Sequence, residues 1–269
     1  MRISLIPSPY AIEVWWHAGG TGPRALLDAG LERLLKDDGH DVACVERQAL
    51  GAPTRDALLT AHLGETALLV RMAAQDHRLP IVLGGDCLVA IAVLAAAQSR
   101  TAVAYFDAHG DFNDEEISPS GYLPGMPLAA VSGRSLSSVT TGVGLTRFVD
   151  ASDITLLGVR DLDPKERAVL DGLPVKQLQP SVVGAFNPAA LPTYLHVDLD
   201  VLDPSVAPAV THPAPGGLGV ETVITAARKI ATLAFMSVTT LVGDRDPDKR
   251  TTEAAMTLIR GVLRSPARA

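Results

Sequence analysis

Three stretches of potential metal ligands each stand at the end of a strand-like apolar run. The run "LPIVL" at 79–83 leads into Gly-Gly-Asp-Cys, giving Asp86 and Cys87; Phe106 leads into "DAHGD", giving Asp107, His109 and Asp111. Val197 leads into "DLDVLDP", giving Asp198, Asp200 and Asp203, and "DRDP", with Asp244 and Asp246, lies just beyond Val242. So many carboxylates on one rim would repel each other unless positive charge sat among them. Asp, His and Cys are side chains that hold divalent metals, and D-x-H-x-D and D-x-D place alternate side chains on one side of an extended segment. Taken alone, an Asp after a strand is a common turn former or helix cap. Three such motifs at equivalent strand ends, one of them with a histidine, point instead to a cation cluster.

The elements that must position these residues are short apolar runs alternating with helical patterns. The strands are expected at Arg2–Ile6, Asp41–Val45, Leu79–Leu83, Thr101–Phe106, Ile154–Gly158, Pro174–Leu178, Tyr194–Val197 and Phe235–Leu241. Helices are expected at Pro23–Lys36, Asp56–Gln75, Leu88–Gln98, Glu221–Ala231 and Thr252–Leu263. This alternation implies an α/β fold, a mostly parallel sheet with helices on both faces. In such sheets ligands bind beyond the carboxyl ends of the strands, where the acidic motifs stand. The longest stretch without a regular element is Ala108–Gly125, rich in Gly, Pro, Ser, Asp and Glu, and loops of that length are usually functional. Trp15, Trp16 and His17, after the first strand, are candidates for the rim or for packing.

With 47% apolar residues and no internal repeat or linker, the 269-residue chain is expected to form a single domain over 1–269. A net charge of −7 without a dense Lys/Arg cluster argues against nucleic acid or an anionic membrane as partner and for a small-molecule substrate. No run reaches the ~18 apolar residues of a membrane helix, so a cytoplasmic protein is expected. Two cysteines make no disulfide framework, and Cys44, inside "DVACV", reads as a small buried hydrophobe.

The blocks "GGDC", "DAHGD" and "HVDLDVLDPSVAP" resemble the three signature blocks of the arginase/agmatinase ureohydrolase family. The resemblance runs from "GTGPRALLDAGLERLL" to "DRDP". It implies a three-layer α/β/α sandwich around a parallel eight-stranded sheet, two Mn²⁺ ions and hydrolysis of a guanidino carbon. Carried over by position, Asp107 and Asp198 would bridge both metals, Cys87 and Asp111 would complete one, and His109 and Asp200 the other. Asn113 and Ser120 would hold the α-carboxylate of an amino-acid substrate, and Asp163, helped by Glu166, its α-amino group. Asp111 and Asp244 would be catalytic side chains, with Asp244 facing the guanidinium, and His212, outside the family pattern, is a further catalytic candidate. Each of Asn113 and Ser120 alone is equally readable as a loop former. A monomer and a homo-oligomer are both compatible with the pattern.

Three departures from the family pattern bear on chemistry. Cys87 stands where most members have a histidine ligand. Four aspartates and a thiolate against two divalent ions give −5 + 4 = −1, whereas two neutral histidines give zero, so a water shared by the ions becomes harder to deprotonate. The alternative is a protonated Cys87 beside a weak metal site. Pro124 stands where a proton-shuttling histidine is expected and cannot do that work. Asp244 is one methylene shorter than the family's Glu, and His212 replaces a small residue, either as a packed surface histidine or as a substitute proton carrier. Cys for His without the shuttle resembles a branch that cleaves Nω-hydroxy-L-arginine to L-ornithine and hydroxyurea. An ordinary arginase, or a catalytically weak binding protein of the same fold, are the competing readings; agmatine fits less well, since Asn113, Ser120 and Asp163 would have less to bind.

Overall fold

A computed structural model describes residues 1–10, 20–47 and 54–264; Trp15, Trp16 and His17 lie outside them. The first half runs β1 (Arg2–Ser8), α1 (Thr21–Asp28), α2 (Leu31–Asp37), β2 (Asp41–Cys44), α3 (Arg55–Gln75), β3 (Leu79–Gly84), α4 (Val89–Ala96), β4 (Ala102–Phe106), α5 (Pro127–Val131) and α6 (Ser137–Val143). The second runs β5 (Ile154–Leu157), α7 (Pro164–Asp171), β6 (Lys176–Leu178), β7 (Thr193–Asp198), α8 (Val220–Ala227), β8 (Leu233–Thr239) and α9 (Arg250–Leu263). The eight strands form one sheet in the order β2-β1-β3-β8-β7-β4-β5-β6, and every pairing is parallel.

The period-two rule sorts the strand side chains between two cores. Ile6, Val82, Val103, Tyr105 and Tyr194 face one layer with α3, α4, α5 and α6, while Ile3, Leu5, Ile81, Leu83, Phe106 and Val197 face the other with α1, α2, α8 and α9. Because both faces are covered, β3, β4 and β7 are buried at every position, which is why they read as apolar runs rather than alternations. All eight residues of α4, "VAIAVLAA", are buried as well; a helix apolar on every side has to sit between the sheet and other helices.

The expected helix Pro23–Lys36 is two helices, broken where Gly30 adopts φ 90°. The expected strand Pro174–Leu178 shrinks to the three residues of β6 at the sheet edge. Helices α5, α6 and α7 carry five to eight residues, too few turns to show a period in sequence. Ala108–Gly125 holds no helix or strand beyond a single 3₁₀ turn at Leu123–Gly125. Among the described residues no helix is long and apolar enough to cross a membrane.

Candidate metal centre

The four central strands, β3, β8, β7 and β4, end side by side, and the acidic motifs follow three of them. Two of these motifs use the same local device. Asp107 accepts the backbone N–H of His109 at 2.6 Å, and Asp198 accepts that of Asp200 at 2.8 Å, so each first carboxylate turns the residue two places on back towards itself. The two turns are then linked, since the Ala108 N–H donates to Asp200 at 3.0 Å. Asp86 makes a similar turn, accepting the Leu88 N–H at 3.0 Å, and presents Cys87 from the third strand end.

These turns gather Cys87, Asp107, His109, Asp111, Asp198 and Asp200 around one cavity of about 240 Å³. The Cys87 thiol donates to Asp198 Oδ2 at 2.8 Å, the Tyr105 hydroxyl to Asp111 Oδ2 at 2.6 Å, and the Thr240 hydroxyl to Asp198. The His109 Nδ1 lies 3.3 Å from Asp107 and 3.1 Å from Asp200. Asp111 and Thr240 both hold positive φ, 53° and 68°, in the left-handed region that costs a residue with a Cβ on the order of 1–3 kcal/mol. Strain of that kind persists where surrounding bonds over-determine it, and both residues are hydrogen-bonded into this cluster.

Seven carboxylates line the cavity, and no lysine or arginine among the described residues does. Arg160, the arginine behind Asp200, directs its donors instead to the backbone carbonyls of Gly158, Asp200, Val201, Ala214 and Pro215. Burial, then the neighbouring Asp200 and Asp198, pushes Asp107 well above the usual carboxylate range; burial and Asp200 do the same to Asp198, and burial and Asp107 to Asp111. The Cys87 thiol is raised by burial and by Asp198, Asp111 and Asp107. Against the effect of burial, the Asp107 and Asp200 carboxylates push His109 up to about 12, and burial, outweighed by the bond from His109, leaves Asp200 below its ordinary value. In the protein alone Asp107, Asp111, Asp198 and Cys87 therefore favour their protonated forms, with Asp200 the exception beside His109. Divalent cations would relieve that deficit, and the donor set of thiol, imidazole and carboxylate suits them.

The ligand atoms fall into two groups, each within 4.8 Å of its own members: Asp107, His109 and Asp200 form one, and Cys87, Asp107, Asp198 and His196 the other. His196 was not expected from the sequence. Its signal was there, as the one imidazole in the buried strand "TYLHVD". Burial lowers it to about 3, so the ring is neutral.

Above the acidic floor stands a polar rim. The buried Asn113 donates through Nδ2 to Asp163 Oδ2 at 3.0 Å, and its Oδ1 accepts no hydrogen bond. Glu166 accepts the Phe112 N–H at 2.9 Å, and burial raises it to about 7. Its approach depends on Gly110, where a Cβ would come within 2.7 Å of the Glu166 carboxylate. Ser120 and Pro124 line the same cavity, Ser120 exposed and accepting the Tyr122 N–H at 3.2 Å. His212 also lines it, with its ring edge-on to Tyr122 at 5.1 Å and to His109 at 6.2 Å.

Asp244 is not brought to this cavity. It is exposed on a neighbouring recess with Pro7, Thr21 and Arg47, because its turn is pinned to α1: the Asp244 N–H meets the Thr21 hydroxyl at 3.4 Å, and a Cβ on Gly243 would lie 2.8 Å from Ala25. The buried member of "DRDP" is Asp246, which accepts the backbone N–H groups of Thr251 and Thr252 and caps α9.

An acidic, cation-demanding pocket at the carboxyl end of an all-parallel α/β/α sandwich defines a metal-dependent hydrolase centre. A model of the arginase family matches residues 1–264. The arginase of Bacillus caldovelox is 33% identical over 243 residues, covering 80% of this chain and 81% of that one. The crystal structure of arginase from Bacillus cereus superposes with a TM-score of 0.88 at 26% identity, covering 100% of both chains. The fold is also that of the formimidoylglutamase of Bacillus subtilis, with a TM-score of 0.71 at 18% identity over 97% of this chain and 85% of that one. The chain belongs to the arginase family, and it is an enzyme of that family's kind, a metal-dependent amidinohydrolase acting on C–N bonds.

Proposed function

We propose that the chain, acting as a single ureohydrolase-like domain, hydrolyses the guanidino C–N bond of an arginine-type amino acid. The products are L-ornithine with hydroxyurea from Nω-hydroxy-L-arginine, its preferred substrate, or with urea from L-arginine. The observation that carries this reading is the pairing of the acidic floor with Asn113 and Asp163 at the rim: one end suits cations, the other an α-amino acid head. Asp107, Asp198, Asp111 and Cys87 would hold one Mn²⁺ and Asp107, Asp198, His109 and Asp200 the other. Two such ions would lower the pKa of a water and supply the nucleophile at neutral pH.

The chain's own residues do the rest. Asp163 meets the α-ammonium, the Asn113 carboxamide and the Ser120 hydroxyl meet the head group, and Glu166 holds the "DAHGD" loop through the Phe112 N–H. The leaving amine must take up a proton. Pro124 lines the cavity but has none to give, and Asp244 faces elsewhere, so His212 at the rim is the imidazole placed to deliver it. A hydroxyguanidine is less basic than a guanidine and asks less of both an acid and a counter-charge. That favours the hydroxy substrate over plain arginine. Assaying the manganese-loaded protein on L-arginine, Nω-hydroxy-L-arginine and agmatine, with ornithine and putrescine measured, tests this order; agmatine turning over fastest would overturn it.

A further inference from the structure

His196 lies one tier below Asp198 on β7, fully buried, in a layer of side chains that crosses three strands. In the register of the sheet it pairs with Tyr105 of β4 on one side and Ser237 of β8 on the other. The Tyr105 ring stacks on the imidazole at 4.0 Å with planes 5° apart. Nδ1 is held twice, by Ser237 Oγ at 2.8 Å and by the Tyr194 hydroxyl at 2.9 Å, and those two hydroxyls are 2.6 Å from each other. The ring is therefore fixed in plane, tilt and rotation.

What remains is Nε2. It points up the strand towards the cluster, where its one hydrogen-bond contact among the described residues is a long one, 3.3 Å to the Thr239 hydroxyl. In the tautomer that donates Nδ1–H to the hydroxyl pair, Nε2 carries a lone pair. A ring nitrogen of His196 falls in one group with Cys87 Sγ and carboxylate oxygens of Asp107 and Asp198, all within 4.8 Å of one another.

We infer that His196 is a direct ligand of the deeper of the two metal ions, binding through Nε2 beside Cys87, Asp107 and Asp198. The inference rests on reading the acidic cluster as a two-cation site. Two independent features carry it. Metal-bound imidazoles commonly donate the second ring N–H to a fixed acceptor, and here the acceptors are built and buried. The imidazole also shares one group with the Cys87 sulfur and the Asp107 and Asp198 carboxylates, a place where packing alone is better served by an apolar ring. Cys87 supplies a thiolate from β3 and His196 a neutral nitrogen from β7, so this ion has a nitrogen donor although its β3 position is not a histidine.

The test is to load the metal-free protein with Co²⁺ and follow thiolate-to-cobalt charge-transfer absorption alongside bound stoichiometry. Wild type is expected to take up two ions and show the band; His196→Gln is expected to bind the ion that gives the band at least 10-fold more weakly. Pulsed EPR gives a readout that does not depend on how that variant folds. In His17→Ala/His109→Ala/His212→Ala loaded with one equivalent of Mn²⁺, the histidine nitrogen coupling left near the cavity is that of His196 and is expected. Absence of that coupling, or an unchanged band and two tightly bound ions in His196→Gln, would overturn the inference while leaving the two-metal reading intact. No binding of cobalt by wild type would overturn both.

Discussion

The Cys87 thiol donates to Asp198 across 2.8 Å, although the two residues lie 111 positions apart. Burial and three aspartates hold the thiol protonated in the protein alone, so a thiolate forms there only when a cation takes the proton's place. Cys87→Ala should lower bound manganese from two towards one per chain, measured by elemental analysis after dialysis. Cys87→His should keep both ions and make the site one unit less negative, moving the pH–rate profile towards lower pH. Unchanged metal content in Cys87→Ala would show that the sulfur only packs.

The rim predicts a pattern across substrates. Asp163→Ala removes the partner of Asn113 and, on the proposed reading, that of the α-ammonium, which arginine and its hydroxy derivative share. Losing a hydrogen bond to a charged group costs about 1.5–3 kcal/mol, so kcat/KM should fall roughly 10- to 150-fold for both. A loss confined to one substrate would place Asp163 near the reacting end instead.

Pro124 lines the cavity without a proton to offer. Pro124→His is expected to raise kcat on L-arginine more than on the hydroxy compound, because the guanidine is the substrate with the greater need of an acid. Equal gains would mean that proton delivery is not what separates the two.

Away from the site, His62 is buried and bonded to Ser8 at 2.9 Å, and burial, then Arg47, lowers it to about 3. Its unfolded value is about 6.5, so between these limits the unfolded chain binds more protons than the folded one. Stability should be intact above pH 6.5 and fall with acid down to pH 3, by up to about 1.4 kcal/mol per unit. In His62→Gln, denaturant titrations across this range should show a shallower fall; an identical slope would rule His62 out as a source.

The strand ends and their acids were legible in the sequence because burial on both faces makes a parallel strand an unbroken apolar run, and any charge at its end stands out. Asp107, Asp198 and the D-x-D geometry follow from that alone. His196 escaped because a histidine inside such a run reads as core; only the register that sets it beside Tyr105 and Ser237 gives its ring a direction. Asp244 misled for the converse reason. Its spacing matches a family position, but the turn that carries it is set by Gly243 against α1, a contact between residues more than 200 positions apart.

Strand order also sets when the site can exist. β8, the last strand in the chain, lies between β3 and β7, so before residues 233–239 are in place the sheet is two separate halves, β2-β1-β3 and β7-β4-β5-β6. Cys87 follows β3 in one half; Asp107, His109, Asp198 and Asp200 belong to the other. During synthesis the ribosome must therefore deliver the chain through Thr239 before sulfur and carboxylates can meet. An ion that needs both Cys87 and Asp198 would then await the finished sheet, whereas Asp107, His109 and Asp200 meet within one half of it.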